Sequence, residues 1–273
     1  MRTIHVSLQE AEDSIGKVDA RVLLCDVLGV DRAFLATNPF HILTETQDAR
    51  IDMLVAQRLM GHPVAYLVGR REFYGRDFEV DGNVLIPRPD TETLVEAALK
   101  HMTDTSRVLD LGTGSGAIAV TLACERANAE VTAVDQSAGA LGVARANAQR
   151  LAPGRVEFLE GSWFAPVAGR RFDLIVSNPP YVAARDPHLG QGDLRFEPGA
   201  ALTDGSADGL DSIRAIVAGT LAHLNPGGWL LLEHGYDQAE AVGALLASSG
   251  FTQRASLPDL AGIPRVAVGR RAP

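Results

Sequence analysis

From Arg107 to the end of the chain, strand-like and helix-like segments alternate, which predicts an α/β fold: a doubly wound, mainly parallel sheet with helices on both faces. Two further observations shape that expectation. The glycine-rich run Asp110-Leu111-Gly112-Thr113-Gly114-Ser115-Gly116 closes the first strand-like segment, and residues 1–70 carry helical periodicity with no strand pattern. A small N-terminal helical domain ahead of the sheet domain follows. The 273 residues suffice for one large domain, or for an ordinary domain with a small companion. With 46% hydrophobic and 22% charged residues the chain is globular in composition.

In order along the chain, Val18, Val22, Leu23, Val27 and Leu28 recur at helical spacing and Gly29 stands where a C-cap would. After the break at Asn38-Pro39, Ile51, Leu54, Val55, Arg58 and Leu59 form a second amphipathic stripe. This bundle either docks a macromolecular partner or stabilises the rest of the chain. Residues 71–90 are rich in aromatic and β-branched side chains, with Asp81-Gly82 as turn, and predict a hairpin linker. In Pro87-Arg88-Pro89-Asp90-Thr91-Glu92, Asp90 or Thr91 can N-cap the helix carrying Leu94, Val95, Ala98 and Leu99. The sheet domain, 91–273, then places strands at Val108–Leu111, Val131–Val134, Val156–Leu159, Leu174–Val176 and Trp229–Glu233, and a final edge strand at Arg265–Val268. Helices fall at Ala117–Ala123, after a Ser137 cap, around Ile213–Leu221 and at Ala241–Leu246.

Charge and composition bound the function. A net charge of −9 argues against holding duplex nucleic acid by phosphate neutralisation. No stretch reaches the ~20 apolar residues of a membrane span, and the N-terminus has no signal-like apolar run, so a cytoplasmic protein is expected. Cys25 and Cys124, far apart and without a CxxC, are expected as buried free thiols. The seven histidines show no metal-ligand spacing, so no metal is expected; His188 and His234 read as structural or loop residues.

The chemistry concentrates at the strand ends. Gly112, Thr113, Gly114, Ser115 and Gly116, preceded by Asp110, allow a sharp turn and close backbone approach to a ligand. The run is neither the dinucleotide Gly-x-Gly-x-x-Gly nor a phosphate loop ending in Gly-Lys-Ser/Thr. Asp135 ends the second strand about 20 residues on, where a carboxylate accepts from ribose hydroxyls. A ribose without a pyrophosphate signature points to a nucleoside cofactor such as S-adenosylmethionine. Behind the strand Phe172–Val176 stands Asn178-Pro179-Pro180-Tyr181. Read alone, it is either a stiff turn or a shelf on which Asn178 and a proline carbonyl accept both protons of a planar NH2 group while Tyr181 stacks on it. Arg88 is either surface decoration or a substrate contact.

Asp110–Gly116, Asp135 and Asn178–Tyr181, in this order, resemble the class I S-adenosylmethionine methyltransferases that act on NH2 groups. The blocks Gly61–Tyr66, Arg71–Phe73, Leu85–Glu92, Asp186–Leu189, Arg195–Pro198 and Leu231–Gly235 extend the likeness over nearly the whole chain. Together they are similar to the bacterial peptide chain release factor glutamine methyltransferases, with the Ile86–Glu92 block the most specific. This resemblance implies a seven-stranded Rossmann-like methyltransferase sheet. It implies N5-methylation of the glutamine in the Gly-Gly-Gln motif of release factors, S-adenosylhomocysteine as product, and helices at the N-terminus that grip the factor. On it, Asn178, Pro179 and Tyr181 carry catalysis. Asp110, Gly112, Thr113, Gly114, Ser115, Gly116, Asp135, Trp163 and Asn178 hold the cofactor, and Asn178, Pro179, Pro180, Tyr181 and Arg88 hold the substrate. The chain departs from the family at Ser162, where an acidic residue often precedes the aromatic; Trp163 still packs on the adenine. A monomer is expected. The competing expectations are an adenine-N6 or cytosine-N4 nucleic-acid methyltransferase, a methyltransferase of another protein glutamine, and a non-catalytic binding module.

Overall fold

The computed structural model describes residues 2–273, which separate into two compact units, one ending at Arg70 and the other running from Arg71 to Pro273. In the first unit the helices are α1 (Ile4–Ile15), α2 (Lys17–Leu28), α3 (Arg32–Thr37), α4 (Glu45–Leu59) and α5 (Val64–Val68). Their ends are closed by side chains: Thr3 caps α1, Asp31 caps α3, and Thr44 with Gln47 makes a reciprocal capping box on α4. Gly29, in left-handed geometry, ends α2 as its position in the sequence predicts. Ile4, Ala11, Ala20, Leu24, Leu35, Leu43 and Ile51 form the core of this unit. The predicted stripes are partly wrong. Val18 is 69% and Leu59 61% exposed. At about 100° per residue, Val18 lies roughly 120–140° around α2 from the buried Leu23 and Leu24, off the packed face.

The second unit opens with the hairpin β1 (Arg70–Phe73) and β2 (Arg76–Glu79). Its turn is Tyr74-Gly75, both at positive φ (52° and 73°), and not the expected Asp81-Gly82. A two-residue turn with both central residues at positive φ matches strand twist, which accounts for the tighter choice. Nor is this segment a free connector, since Phe73 and Phe78 are buried edge-to-face in the core of the sheet domain. There follow α6 (Glu92–His101), β3 (Arg107–Leu111), α7 (Ala117–Glu125), β4 (Glu130–Asp135), α8 (Ala138–Leu151), β5 (Val156–Glu160) and β6 (Phe172–Ser177). The chain ends with α9 (Gly199–Leu202), α10 (Asp211–His223), β7 (Leu224–Glu233), α11 (Ala239–Ser248), β8 (Thr252–Pro258) and β9 (Pro264–Arg270).

The seven strands run in the order β5-β4-β3-β6-β7-β9-β8, parallel except for β9 and β8. Period-two alternation divides the apolar residues between the two faces. On β6, Leu174 and Val176 join the core under α6, α7 and α8, while Ile175 joins the one under α10 and α11. The last strand is not the edge. β9 lies between β7 and β8, and β8 was illegible because its residues are almost all exposed and polar. Cys25 and Cys124 are free, as expected, but half-buried rather than enclosed. Among the described residues no helix is long and apolar enough to cross a membrane.

Phe78 reports whether the hairpin belongs to the core. Phe78→Ala should lower the urea-unfolding free energy by about 3–5 kcal/mol, the cost of truncating an enclosed aromatic. A loss below about 1 kcal/mol would return the hairpin to the status of a linker.

Candidate active site

A cavity of about 440 Å³ opens at the carboxyl ends of β3, β4 and β6, within the size range of small-molecule sites. Strand order reverses between β3 and β6, so this is the switch point at which open α/β sheets bind ligands. The register decides what meets there. Leu111 pairs with Ser177, Leu111 with Val134 and Ser177 with Leu232. The residues that follow these four, Gly112, Asp135, Asn178 and Glu233, therefore stand in one row.

Asn178 is on the cavity wall, and its Nδ2 donates to Thr91 Oγ1 at 3.1 Å. The hydroxyl expected to cap α6 makes no capping bond, because it is engaged here instead. With Nδ2 occupied, Oδ1 is the acceptor left for a ligand. Pro179 is buried, and no described residue donates to its carbonyl. Pro180 lines the cavity, whereas Tyr181 does not: its ring packs on the core beneath α10 and its hydroxyl donates to Glu233 Oε1 at 3.1 Å. The stacking role expected of Tyr181 is thus replaced by an anchoring one. The Tyr181 carbonyl is held in turn by Gln238 Nε2 at 2.9 Å. Arg88 reaches the cavity wall, where the buried Glu197 accepts from its guanidinium and, at 3.0 Å, from the Ile86 N–H. From sequence Thr91 is expected only as a cap of α6, and Glu197 and Glu233 only as members of the family-like blocks Arg195–Pro198 and Leu231–Gly235; none of the three is expected at the site.

The glycine loop is fixed by Gly112 and Thr113, whose N–H groups both donate to the Val134 carbonyl, at 2.8 and 3.0 Å. Gly112 and Gly114 take positive φ (71° and 56°) and, with Thr113 and Ser115, line the cavity. Asp135 accepts the Gly114 N–H on Oδ2 and the Ser137 N–H on Oδ1, both at 2.9 Å. Each carboxylate oxygen keeps a lone pair for a ribose hydroxyl. Ser162 and Trp163 line the same cavity, with the indole close to Gly112. An adenine-bearing nucleoside fits this lining: a carboxylate for ribose hydroxyls, an indole for a flat ring, and a glycine backbone that turns at positive φ. Two expected contacts move out of the site. Gly116 packs α7 on α8, where a Cβ would come within 3.2 Å of Ala144 and 3.3 Å of Val120. Asp110 is fully buried beneath the loop and accepts the Thr113 hydroxyl at 2.6 Å. It acts on the cavity through Thr113. Among the described residues no cluster of His, Cys, Asp or Glu is arranged to hold a metal.

Burial pushes the Asp110 carboxyl up from 3.8 to about 7, against the pull of the Thr113 hydroxyl. The folded state then keeps a proton that the unfolded chain releases between about pH 4 and 7, so stability falls as pH rises through that window. Asp110→Asn removes the titration. In the absence of ligand its stability relative to wild type should climb by a few kcal/mol, at about 1.4 kcal/mol per pH unit, between pH 4 and 7. Urea unfolding at pH 5 and pH 8 measures this, and parallel pH profiles for the two proteins would refute it.

Residues 89–192 match the family model described as methyltransferase small domain, and residues 2–69 match the PrmC N-terminal domain. A release factor glutamine methyltransferase of Xylella fastidiosa is 52% identical over 265 residues, 96% of either chain. One of Pseudomonas aeruginosa is 49% identical and covers 99% of both chains. The crystal structure of a methyltransferase from Pyrococcus furiosus superposes with a TM-score of 0.56 at 19% identity, over 84% of this chain and all of the other, a likeness of fold. Sequence identity near one half along the whole length, with a Rossmann-like sheet that ends in the glycine loop and Asn178, places this chain in the release factor glutamine methyltransferase family.

Proposed function

We propose that this protein transfers a methyl group from S-adenosylmethionine to the side-chain amide nitrogen of the glutamine in the Gly-Gly-Gln motif of peptide chain release factors. The observation that carries the reading is the Asn178 amide: one of its N–H bonds goes to Thr91, which orients the group, and the residue lines the same cavity as the glycine loop. An oxygen acceptor at that point suits a substrate that arrives with N–H bonds, as a carboxamide does. When bound, S-adenosylmethionine supplies an electrophilic methyl on a sulfonium that is already a good leaving group. The protein's task is the nucleophile, whose lone pair is delocalised into its own carbonyl. Asn178 Oδ1 and the Pro179 carbonyl accept the two N–H bonds, fix the amide plane and aim the nitrogen at the methyl. Positioning of this kind contributes up to ~7–11 kcal/mol. The same two oxygens stabilise the positive charge that develops on nitrogen as the C–N bond forms. Neither is a strong base, so the N–H proton leaves to water after transfer.

Thr113, Ser115 and the loop backbone hold the cofactor's amino-acid end, Asp135 its ribose, and Trp163 its adenine. Arg88, anchored by Glu197, offers its remaining N–H groups to the backbone of the substrate loop. The first unit is read as the grip on the release factor. It matches a domain specific to this family, and Phe40, Ile42 and Met60 on it are all more than half exposed. The protein is read as a cytoplasmic monomer, in keeping with its acidic, globular composition.

Incubation with S-adenosylmethionine and a purified release factor, followed by tandem mass spectrometry, should give one added methyl on the Gly-Gly-Gln glutamine. An unmodified factor in the presence of bound S-adenosylmethionine would exclude that substrate. Asn178→Ala should lower kcat by about 100-fold or more, as loss of a preorganised contact does, while calorimetric affinity for S-adenosylmethionine is unchanged. Asp135→Ala should do the reverse and weaken cofactor binding first. Phe40→Glu should raise KM for the release factor and leave both kcat and cofactor affinity alone; an unchanged KM would remove that face from the grip.

A further inference from the structure

The strand end next to Asn178 carries a buried carboxylate that the chemistry above does not use. Ser177 of β6 pairs with Leu232 of β7, so Glu233, the last residue of β7, stands level with Asn178, the first residue after β6. Glu233 is enclosed (1% exposed) and accepts the Tyr181 hydroxyl on Oε1. The Thr91 hydroxyl lies beside the same carboxylate and favours its ionised form. Oε2 has no hydrogen-bond partner among the described residues and can take the Thr91 proton. Thr91 is also the group that accepts Asn178 Nδ2. One threonine hydroxyl therefore sits between a carboxylate and an amide, with a single proton to give.

That proton decides the polarity of the site. An ionised carboxylate only accepts, so the Thr91 proton points at Glu233 and its lone pair at Asn178. A lone pair can be met only by Nδ2, and the amide must then turn Oδ1 to the cavity. We propose that Glu233 is a positioning residue that, through Thr91, locks the Asn178 amide with its oxygen outward, so that the site selects an NH2 group over a carboxylate. The inference rests on the reading that the substrate presents an NH2 group to Asn178. Around Glu233, Asp90 in the turn before α6 adds negative charge, Arg265 on β9 adds positive charge, and the Tyr181 phenol and the neutral His234 complete the surroundings. Burial raises the Glu233 carboxyl to about 7. Once protonated, it can donate to Thr91 and release the lock.

Five proteins test this: wild type, Glu233→Gln, Thr91→Val, the double variant of these two, and Thr91→Ser. Glutamine in place of Glu233 can donate to Thr91, free the Thr91 proton for Asn178, and so let the amide invert. Glu233→Gln should lower kcat by about 10- to 100-fold, the factor for one misdirected hydrogen bond, with cofactor affinity unchanged. Thr91→Val should match it, the double variant should be no worse than either, and Thr91→Ser should restore the rate. Wild-type kcat should fall below about pH 7, and this fall should vanish in Glu233→Gln. Additive losses, joint loss of cofactor affinity, or an unchanged kcat would overturn the proposal. A readout independent of turnover is the nuclear Overhauser contact between the Asn178 side-chain NH2 and the Thr91 methyl. It should be present in wild type and weakened in Glu233→Gln; equal contacts in the two would overturn the lock even if no release factor were methylated. Should Glu233→Gln fail to fold, the comparison of Thr91→Val with Thr91→Ser decides the same question.

Discussion

The parallel pairing of β3 with β6 is the constraint on which the site depends. A glycine loop and an Asn-Pro-Pro turn are useful together only if their strands end at the same level, and the Leu111–Ser177 register sets that level. A slip of one residue would also turn every side chain to the opposite face. The apolar alternation on β6, shared between two cores, resists such a slip along the full strand. The chemistry at the strand ends is therefore held in place by burial several residues away.

Around that row, polar groups that cannot reach water are tied to one another. Asn147, wholly buried on α8, donates to the carbonyls of Ser115 and Glu79 and accepts the Glu79 N–H. It thereby fastens the hairpin to the glycine loop. Glu197 does the same for Arg88 and Ile86, and Gln238 for Tyr181 and Asp208. Each of these side chains satisfies backbone groups that a bend or loop leaves unpaired, where an orphaned buried group costs about 1–3 kcal/mol. The cavity wall is rigid because its irregular backbone is supported in this way.

Within the site, residues divide by whether they meet the ligand or hold those that do. Asp135, Trp163, Asn178 and Arg88 stand on the cavity wall. Asp110, Gly116, Tyr181 and Glu233 stand behind it, and Asp110 holds the wall residue Thr113 through a contact that a sequence motif does not reveal. Motif membership and ligand contact are different properties.

The sequence determined the parts that depend on local order. Apolar runs and alternation marked six of the seven strands and the two-sided sheet. Gly29, Ser137 and Asn38-Pro39 marked helix ends, and the glycine run, Asp135 and Asn178 marked the strand ends where chemistry collects. The seventh strand, β8, was invisible because an exposed polar strand has no burial pattern to read. The hairpin turn fell at Tyr74-Gly75 because strand twist, not composition, selects the tight turn. Only the tertiary structure decided which polar side chains face the ligand. Thr91 left its capping position for Asn178, Tyr181 turned to Glu233, and Asp110 went beneath Thr113. Those choices rest on hydrogen bonds across 87, 52 and 3 positions of sequence. Partners 87 and 52 positions apart are brought together by strand register, and register is a property of the folded sheet.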